Sequence, residues 1–546
     1  MSCCLSSKFG GWCSRSETKI AKDGNEYCIY HMPLEEKWLT GNEFHLKLYS
    51  YIDRMIDGHG ECILNGTVFP QNTQFFHYNN TKPLPRISFV HCVFGHVNFS
   101  GVKFGHDVDF SGSIFNGRTD FRDTYFNNSA LFCEIKLNNY IIFENAHFKE
   151  TVWFKYCSLK DCNFNGTEFH GDVDFERTIF TGLFDCSKAI FHGASNFCTT
   201  LYNDYSIFDS AVFSNSCHFN QSRFRNKAIF YNAKFESNAD FTLTYFDRYV
   251  NFTDSSFLGS LKFSKSTFKH GFEFNNSIFK NGLSFENSEI AGQCNFWSSK
   301  FTTSGDVLPI DFGNTTVEDR IKLVNCDLTN FKTFNVDIKM FSFESCQFPL
   351  DSEGNFKIFE DTGKSGHDKD IILESVYRNF KLSAKKDNNE IMTSAWHYKE
   401  KEVQLRKLKH DSLEILFDIP KEFRSNSIQL FLHKFIGNIP CKINTLFETL
   451  VLFMYDCMSG FGEKPFRAGL VLLLLLFVPI LFPAPSNNIG HIKAWLFYIP
   501  LGKIDLPVNE QIRIDVICVL LRMLMYILIT IQVTVFGFSL RNKFRR

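Results

Sequence analysis

The chain has 546 residues and a formal net charge of -1. That balance argues against a nucleic-acid-binding protein, which carries a basic face. Its length, with 44% hydrophobic residues, allows several domains and large cores, and its 65 phenylalanines demand a structural explanation of their own.

Residues 1–62 are mixed in composition and rich in cysteine. The opening "MSCCLSSKFGGWCSRSETK" has no apolar core of a signal peptide, and Ser2 stands where N-myristoylation needs glycine. Most of the 18 cysteines are therefore expected to be reduced thiols in the cytoplasm, many of them filling small core positions. Cys28 and His31 have the C-x2-H spacing that places a thiolate and an imidazole on one tetrahedral ion. Cys4 and Cys13 complete the expected set Cys4, Cys13, Cys28 and His31, with Cys3 able to replace Cys4. Four protein ligands leave no open position, so the cofactor expected there is a structural zinc. The competing reading is a cap whose buried thiols bind nothing.

Residues 63–348 repeat. In "VNFTDSSFLGSLKFSKSTFKHGFEFNNSIF", phenylalanines fall at 252, 257, 263, 268, 274 and 279, in steps of five and six that suit neither helix nor strand. From Phe110 to Phe301 the beat covers 36 positions, 31 of them Phe, with one five-five step at 159, 164 and 169. Leu137, Leu159, Cys186, Tyr202 and Ile290 are the exceptions. Two residues before each Phe stands a mostly small side chain, such as Ala189, Ser222, Ala233 or Thr244. Between the two columns Asn or Asp recurs, as at Asp109, Asp174 and Asp240. A large inward residue, a small inward residue and a polar corner are what a narrow solenoid needs.

This pattern resembles the pentapeptide-repeat proteins, in the variant with Phe at the central position. The resemblance implies an all-β, right-handed quadrilateral β-helix, two five-plus-six units making a coil of 22 residues. From Leu64 to Phe348 about a dozen coils fit, a rod of roughly 55–60 Å at ~4.8 Å per coil. Phe312, Val317, Leu323, Leu328, Phe334, Phe343 and Phe348 continue the beat with slips. Phe columns and small Ser or Thr positions read as core, and His170, His192 and His270 as outward residues without partners at catalytic spacing. No enzyme active site is expected. The DNA mimicry known for this fold requires a strong carboxylate surplus. Between Phe89 and Phe301 there are 22 acidic against 19 basic residues, too even for that role. "YCIYHMPLEEK" also resembles the start of membrane-linked members of the family.

Residues 349–425 change period. Ile372, Val376, Tyr377, Phe380 and Ala384 share a helix face, "KKDNNE" supplies a turn, and Ala395, Tyr398, Val403 and Leu405 mark a second helix. A helical hairpin capping the β-helix is expected, with Glu400, Lys401 and Glu402 on a solvated face. "YRNFK", "AWHYKEKEVQLRK" and "MSGFGEKPFRAGLVLLLLL" again resemble the membrane-linked members. Residues 426–465 are apolar but broken by Lys434, Pro440, Lys442 and Glu448, which suits an amphipathic segment on the inner leaflet.

Residues 466–546 hold two expected transmembrane helices, about 467–484 and 516–540. Lys464, Arg467, Arg541, Lys543, Arg545 and Arg546 flank them, against Lys493, Lys503 and Arg513 in the loop, which places both termini in the cytoplasm. "KAWLFYIPLG" could form a short pore helix, but the carbonyl filter of potassium channels is absent. Arg522 within the second span would cost about 2.5–3.5 kcal/mol if left central. It either snorkels or, with Tyr526 and Gln532 near one face, lines an oligomer interface or polar path; Thr530 and Thr534 could add interhelical hydrogen bonds.

The expected function is a non-enzymatic scaffold or sensor on the bacterial inner membrane, multi-pass, binding a protein partner and no nucleic acid. The alternative is a homo-oligomeric, channel-like or membrane-permeabilising effector.

Overall fold

The computed structural model describes residues 3–14, 16–58, 60–75, 78, 83–302, 310–329, 331, 333, 337–362, 366–417, 445, 447–462, 464–484, 491–500 and 516–544. It forms two compact units, Met1–Phe348 and Pro349–Arg546.

The first unit is a four-sided parallel β-solenoid. Its strands, most of them two residues long, stack into sheets of 11, 13, 10 and 12 strands. Most registers advance by one 22-residue coil, as Ser206 pairs with Ala228 and Phe213 with Phe235. At the five-five step the coil shortens, and His147 pairs with Glu168.

Each part of the repeat has its physical task. The Phe column fills the interior: Phe197, Phe219 and Phe241 stack at 4.7 and 4.6 Å with nearly parallel rings. Neighbouring columns meet edge to face, as Phe219 meets Phe230 at 89°. The corner carboxylate or amide caps the bend, with Asp240 Oδ1 accepting the Thr242 amide at 2.9 Å. Several of the small buried Ser and Thr residues donate their hydroxyl to a Phe carbonyl one coil back: Ser222 to Phe197, Ser255 to Phe230 and Ser288 to Phe263, each at 2.6 Å. These hydroxyls are thus satisfied core groups.

One coil inverts the pattern. Phe184 occupies the small position and Cys186 the large one, and both are fully buried. The total volume is preserved by exchange, which is why Cys186 is tolerated in the Phe column.

The amino-terminal end is closed by an element the repeat does not announce, helix α1 (Gly41–Asp57). Thr40 and Glu43 form its capping box, and Phe44, Leu48 and Ile52 form its buried face. Phe44 meets Phe69 of the first coil edge-on at 6.2 Å, so α1 covers the strand edges that coil would expose.

The second unit contains the expected hairpin, α2 (His367–Lys386) and α3 (Glu390–Phe417). Asn388, at φ 55°, makes the turn. Leu373, rather than Ile372, enters the buried face with Val376, Tyr377 and Phe380, while Ile372 is exposed. Trp396, 4.9 Å from Phe380, is the anchor on the facing helix. Glu400 does not lie on a solvated face. It is 4% exposed and accepts from Arg378 at 3.0 Å and from Lys381.

Residues 426–444, about half of the expected amphipathic segment, lie outside the described residues, as do Phe334, Lys503, Arg513, Arg545 and Arg546; 447–459 are helical. The first expected span is α4 (Pro465–Phe477), continued by a 3-10 turn over Val478–Leu481. Pro479 lacks the amide that a further α-helical turn requires. A short helix α5 (His491–Phe497) and the long helix α6 (Val516–Phe544) follow. Among the described residues one helix, Val516–Arg541, is long and apolar enough to cross a membrane.

Candidate functional site

The antiparallel strands Thr18–Ile20 and Glu26–Cys28 bring Cys28 to the start of a tight turn. His31 and Met32 donate their amides back to the Cys28 carbonyl at 3.1 and 2.9 Å, which turns the imidazole toward the Cys28 thiol. Cys3, Cys13, Cys28 and His31 are all buried, with their ligand atoms within 4.8 Å of one another. His31 Nδ1 lies 3.2 Å from Cys3 Sγ, 3.4 Å from Cys13 Sγ and 3.3 Å from Cys28 Sγ. A tetrahedral zinc with ~2.3 Å Zn–S and ~2.0–2.1 Å Zn–N bonds has S–N edges of about 3.5 Å, so this donor set fits the ion.

The set differs from the expected one at one position. Cys3 stands beside the other three, whereas Cys4 is exposed. The Cys4 amide is tied to the Glu26 carbonyl at 2.7 Å, and the neighbouring side chains diverge, one inward and one to solvent. A hydrogen bond with Cys13 and burial push the Cys28 thiol up to about 12, while the same bond holds Cys13 below the ordinary thiol value.

The surroundings lock the histidine. Its Nε2 is 2.9 Å from the Asn65 carbonyl, which also accepts Trp12 Nε1 at 3.1 Å. A second ring nitrogen donating to a backbone carbonyl is how metal-bound histidines are oriented. Asn65 Oδ1 in turn accepts from Ser88 Oγ at 2.6 Å and the Val90 amide at 3.0 Å, binding the cluster to the first two coils. Sequence reasoning missed Asn65 and Trp12, because neither stands at a ligand spacing. It also missed α1, whose signal was the T-x-x-E box ahead of Phe44, Leu48 and Ile52.

Along α6 the three polar residues separate. Arg522 Nη2 lies 3.3 Å from Tyr526 Oη, and its guanidinium stands 4.4 Å over the Phe497 ring of α5. Gln532 lies roughly 120° around the helix from Tyr526. It is fully buried against α4, where its Nε2 donates to the Ala468 carbonyl at 2.7 Å and the Met458 carbonyl at 3.2 Å. The three therefore do not share one face. Thr530 and Thr534 back-bond within the helix, to the carbonyls of Tyr526 and Thr530. Trp495 Nε1 donates to the Leu476 carbonyl at 2.7 Å, satisfying an orphan acceptor where α4 ends.

A sequence model of the family described as Pentapeptide repeats (9 copies) matches residues 154–197 and 208–256. Together with the four parallel sheets, this makes the solenoid a pentapeptide-repeat β-helix. No curated protein and no solved structure matches the chain.

Proposed function

We propose that the protein is a membrane-anchored, non-enzymatic scaffold whose pentapeptide-repeat surface binds a protein partner on the cytoplasmic side of a bacterial inner membrane. The observation that carries the membrane anchor in this reading is the outer face of α6. Leu520, Met523, Leu524, Ile527 and Ile531 are exposed, while Cys518, Met525, Ile529 and Gln532 face inward. An apolar outer face on a helix of ~40 Å suits a hydrocarbon core of ~30 Å. The bond from Gln532 to Ala468 and the packing of Phe482 on the cluster of Tyr498 and Cys518 run α4 antiparallel to α6; with the flanking Lys464, Arg467 and Arg541 this supports a two-pass anchor with both termini inside.

The same reading assigns a structural zinc to Cys3, Cys13, Cys28 and His31, holding the cap on the solenoid. Alkaline extraction and a C-terminal reporter test the anchor. Release of the chain from membranes, or an external reporter signal, would sink it. Affinity purification in detergent then reports the partner and the number of copies.

A second reading, the channel-like effector, draws on Gln532 Oε1 and Ser539 Oγ, which are buried without a hydrogen-bond partner. Expression that collapses membrane potential in the wild type, but not with Gln532→Leu, favours it over the scaffold.

A further inference from the structure

The outward face of the solenoid carries a side-chain cluster that no linear spacing discloses. His147 and Glu168 are paired in register on adjacent coils, and His170 follows Glu168 by two residues. Glu168 Oε2 lies 3.0 Å from His147 Nδ1 and 3.3 Å from His170 Nε2. All three ligand atoms lie within 4.8 Å of one another. Their side chains are 24%, 34% and 33% exposed, open to ions yet not free to wander. Tyr125 stacks on His147 at 4.7 Å, and His192 on His170 at 4.9 Å, so rings from the neighbouring coils brace both imidazoles.

Lys149 and Glu168 compete for one ring nitrogen here. Lys149 Nζ stands 2.8 Å from His170 Nε2, the nitrogen that also faces Glu168 Oε2. An ammonium is only a donor, so it requires a lone pair on Nε2; an ionised carboxylate is only an acceptor, so it requires a proton there. Either choice leaves one contact repulsive. With Lys149 turned to solvent, His147 Nδ1, Glu168 Oε2 and His170 Nε2 are left facing one another. A cation seated among them accepts lone pairs from both imidazoles and the carboxylate at once.

We propose that His147, Glu168 and His170 form a second metal site, for a divalent first-row transition ion, on the solenoid surface. Two imidazoles and one carboxylate suit Zn2+, Ni2+ or Co2+ better than Mg2+ or Ca2+, which prefer oxygen ligands. The 3.0 and 3.3 Å separations match the ligand–ligand edges around an ion with bonds of ~2.1 Å. Three protein ligands leave positions for water or for a side chain of a docking partner. The solenoid is suited to the task because its register, and not a mobile loop, sets the spacing of the ligands.

The test is calorimetric titration of Ni2+ into the full-length, untagged protein in detergent, loaded beforehand with one equivalent of zinc, which the thiolate-rich cysteine cluster takes in preference to a histidine–carboxylate site. One further ion per chain is expected. His147→Ala and His170→Ala should each weaken it by more than about tenfold, beyond the lower bound for losing an outer-shell partner. Lys149→Met should tighten it, since the competing ammonium is gone. Unfolding curves of the variants should overlay that of the wild type, since all three side chains are partly solvent-exposed. Absence of a further ion, or an affinity unmoved by either histidine change, overturns the site. An affinity lost in only one of the two histidine variants overturns the three-ligand geometry, and no gain from Lys149→Met overturns the competition.

Discussion

At the scale of single residues, the array is a set of constraints repeated until deviations become informative. Leu243 sits at φ 60° in the turn closed by the Thr244 amide on the Phe241 carbonyl at 3.1 Å, a position that favours glycine. The left-handed conformation costs a branched side chain about 1–2 kcal/mol, and glycine's greater chain entropy cancels part of that. Leu243→Gly should therefore stabilise the solenoid by about 0.5–1 kcal/mol, read from chemical unfolding. The exchanged pair gives a sharper test. Cys186→Phe alone puts a second large ring beside Phe184, which already lies 4.2 Å from Phe180, and should cost about 1–3 kcal/mol. Adding Phe184→Ser recreates the arrangement of Ser206 and Phe208 one coil on, and stability should return. Additive losses in the double-mutant cycle would show that the exchange is not compensatory.

At the scale of elements, the hairpin depends on buried charge as much as on its aromatic core. Lys399, 2% exposed, donates to Asp351 at 2.5 Å and to Glu402 at 2.7 Å. Burial raises the Asp351 carboxyl, but hydrogen bonds from Lys399 and Asn355 outweigh it and hold the group well below the carboxylate range. Its folded value is depressed, so its stabilisation is complete above the unfolded value of ~3.9 and is lost as pH falls through the folded one. Lys399 is raised, so its share is present below ~10.4 and is lost as pH rises through its folded value. Asp351→Asn should cost about 1–2 kcal/mol across neutral pH, with the gap to wild type narrowing progressively on acidification below about pH 4. Thermal melts across that range measure it; a gap unchanged at the acid end would assign the loss to packing. Between α4 and α6, a Cβ on Gly469 would stand 3.0 Å from Phe536 Cε2. Gly469→Leu should wedge the helices apart, weaken the Gln532 bond to Ala468 and lower stability in detergent by about 1–3 kcal/mol.

At the scale of the whole molecule, a solenoid transmits stability only between neighbouring coils. The proposed zinc then acts locally, through His31 and Asn65 on the first coils. Cys28→Ser should abolish stoichiometric zinc and speed hydrogen exchange in 62–94, while coils near 230–280 keep their protection. Equal loss of protection along the whole array would contradict a local cap. The array itself is legible in the linear chain. A Phe every five or six residues leaves no alternative to a narrow coil, and sequential coils must pair in parallel. The thiol set is legible as a spacing, but the choice of Cys3 over Cys4 is not, because adjacent residues differ only in the direction their side chains take. What the sequence determined by itself was thus whatever repeats along the chain: coil length, core composition and the apolar helix. What only the tertiary structure decided was whatever meets across coils or helices, such as Asn65 under His31, Gln532 against Ala468, and His147 beside Glu168 and His170. The physical reason is that a 21- or 22-residue coil places side chains one turn apart in contact, while local spacing records only neighbours along one strand.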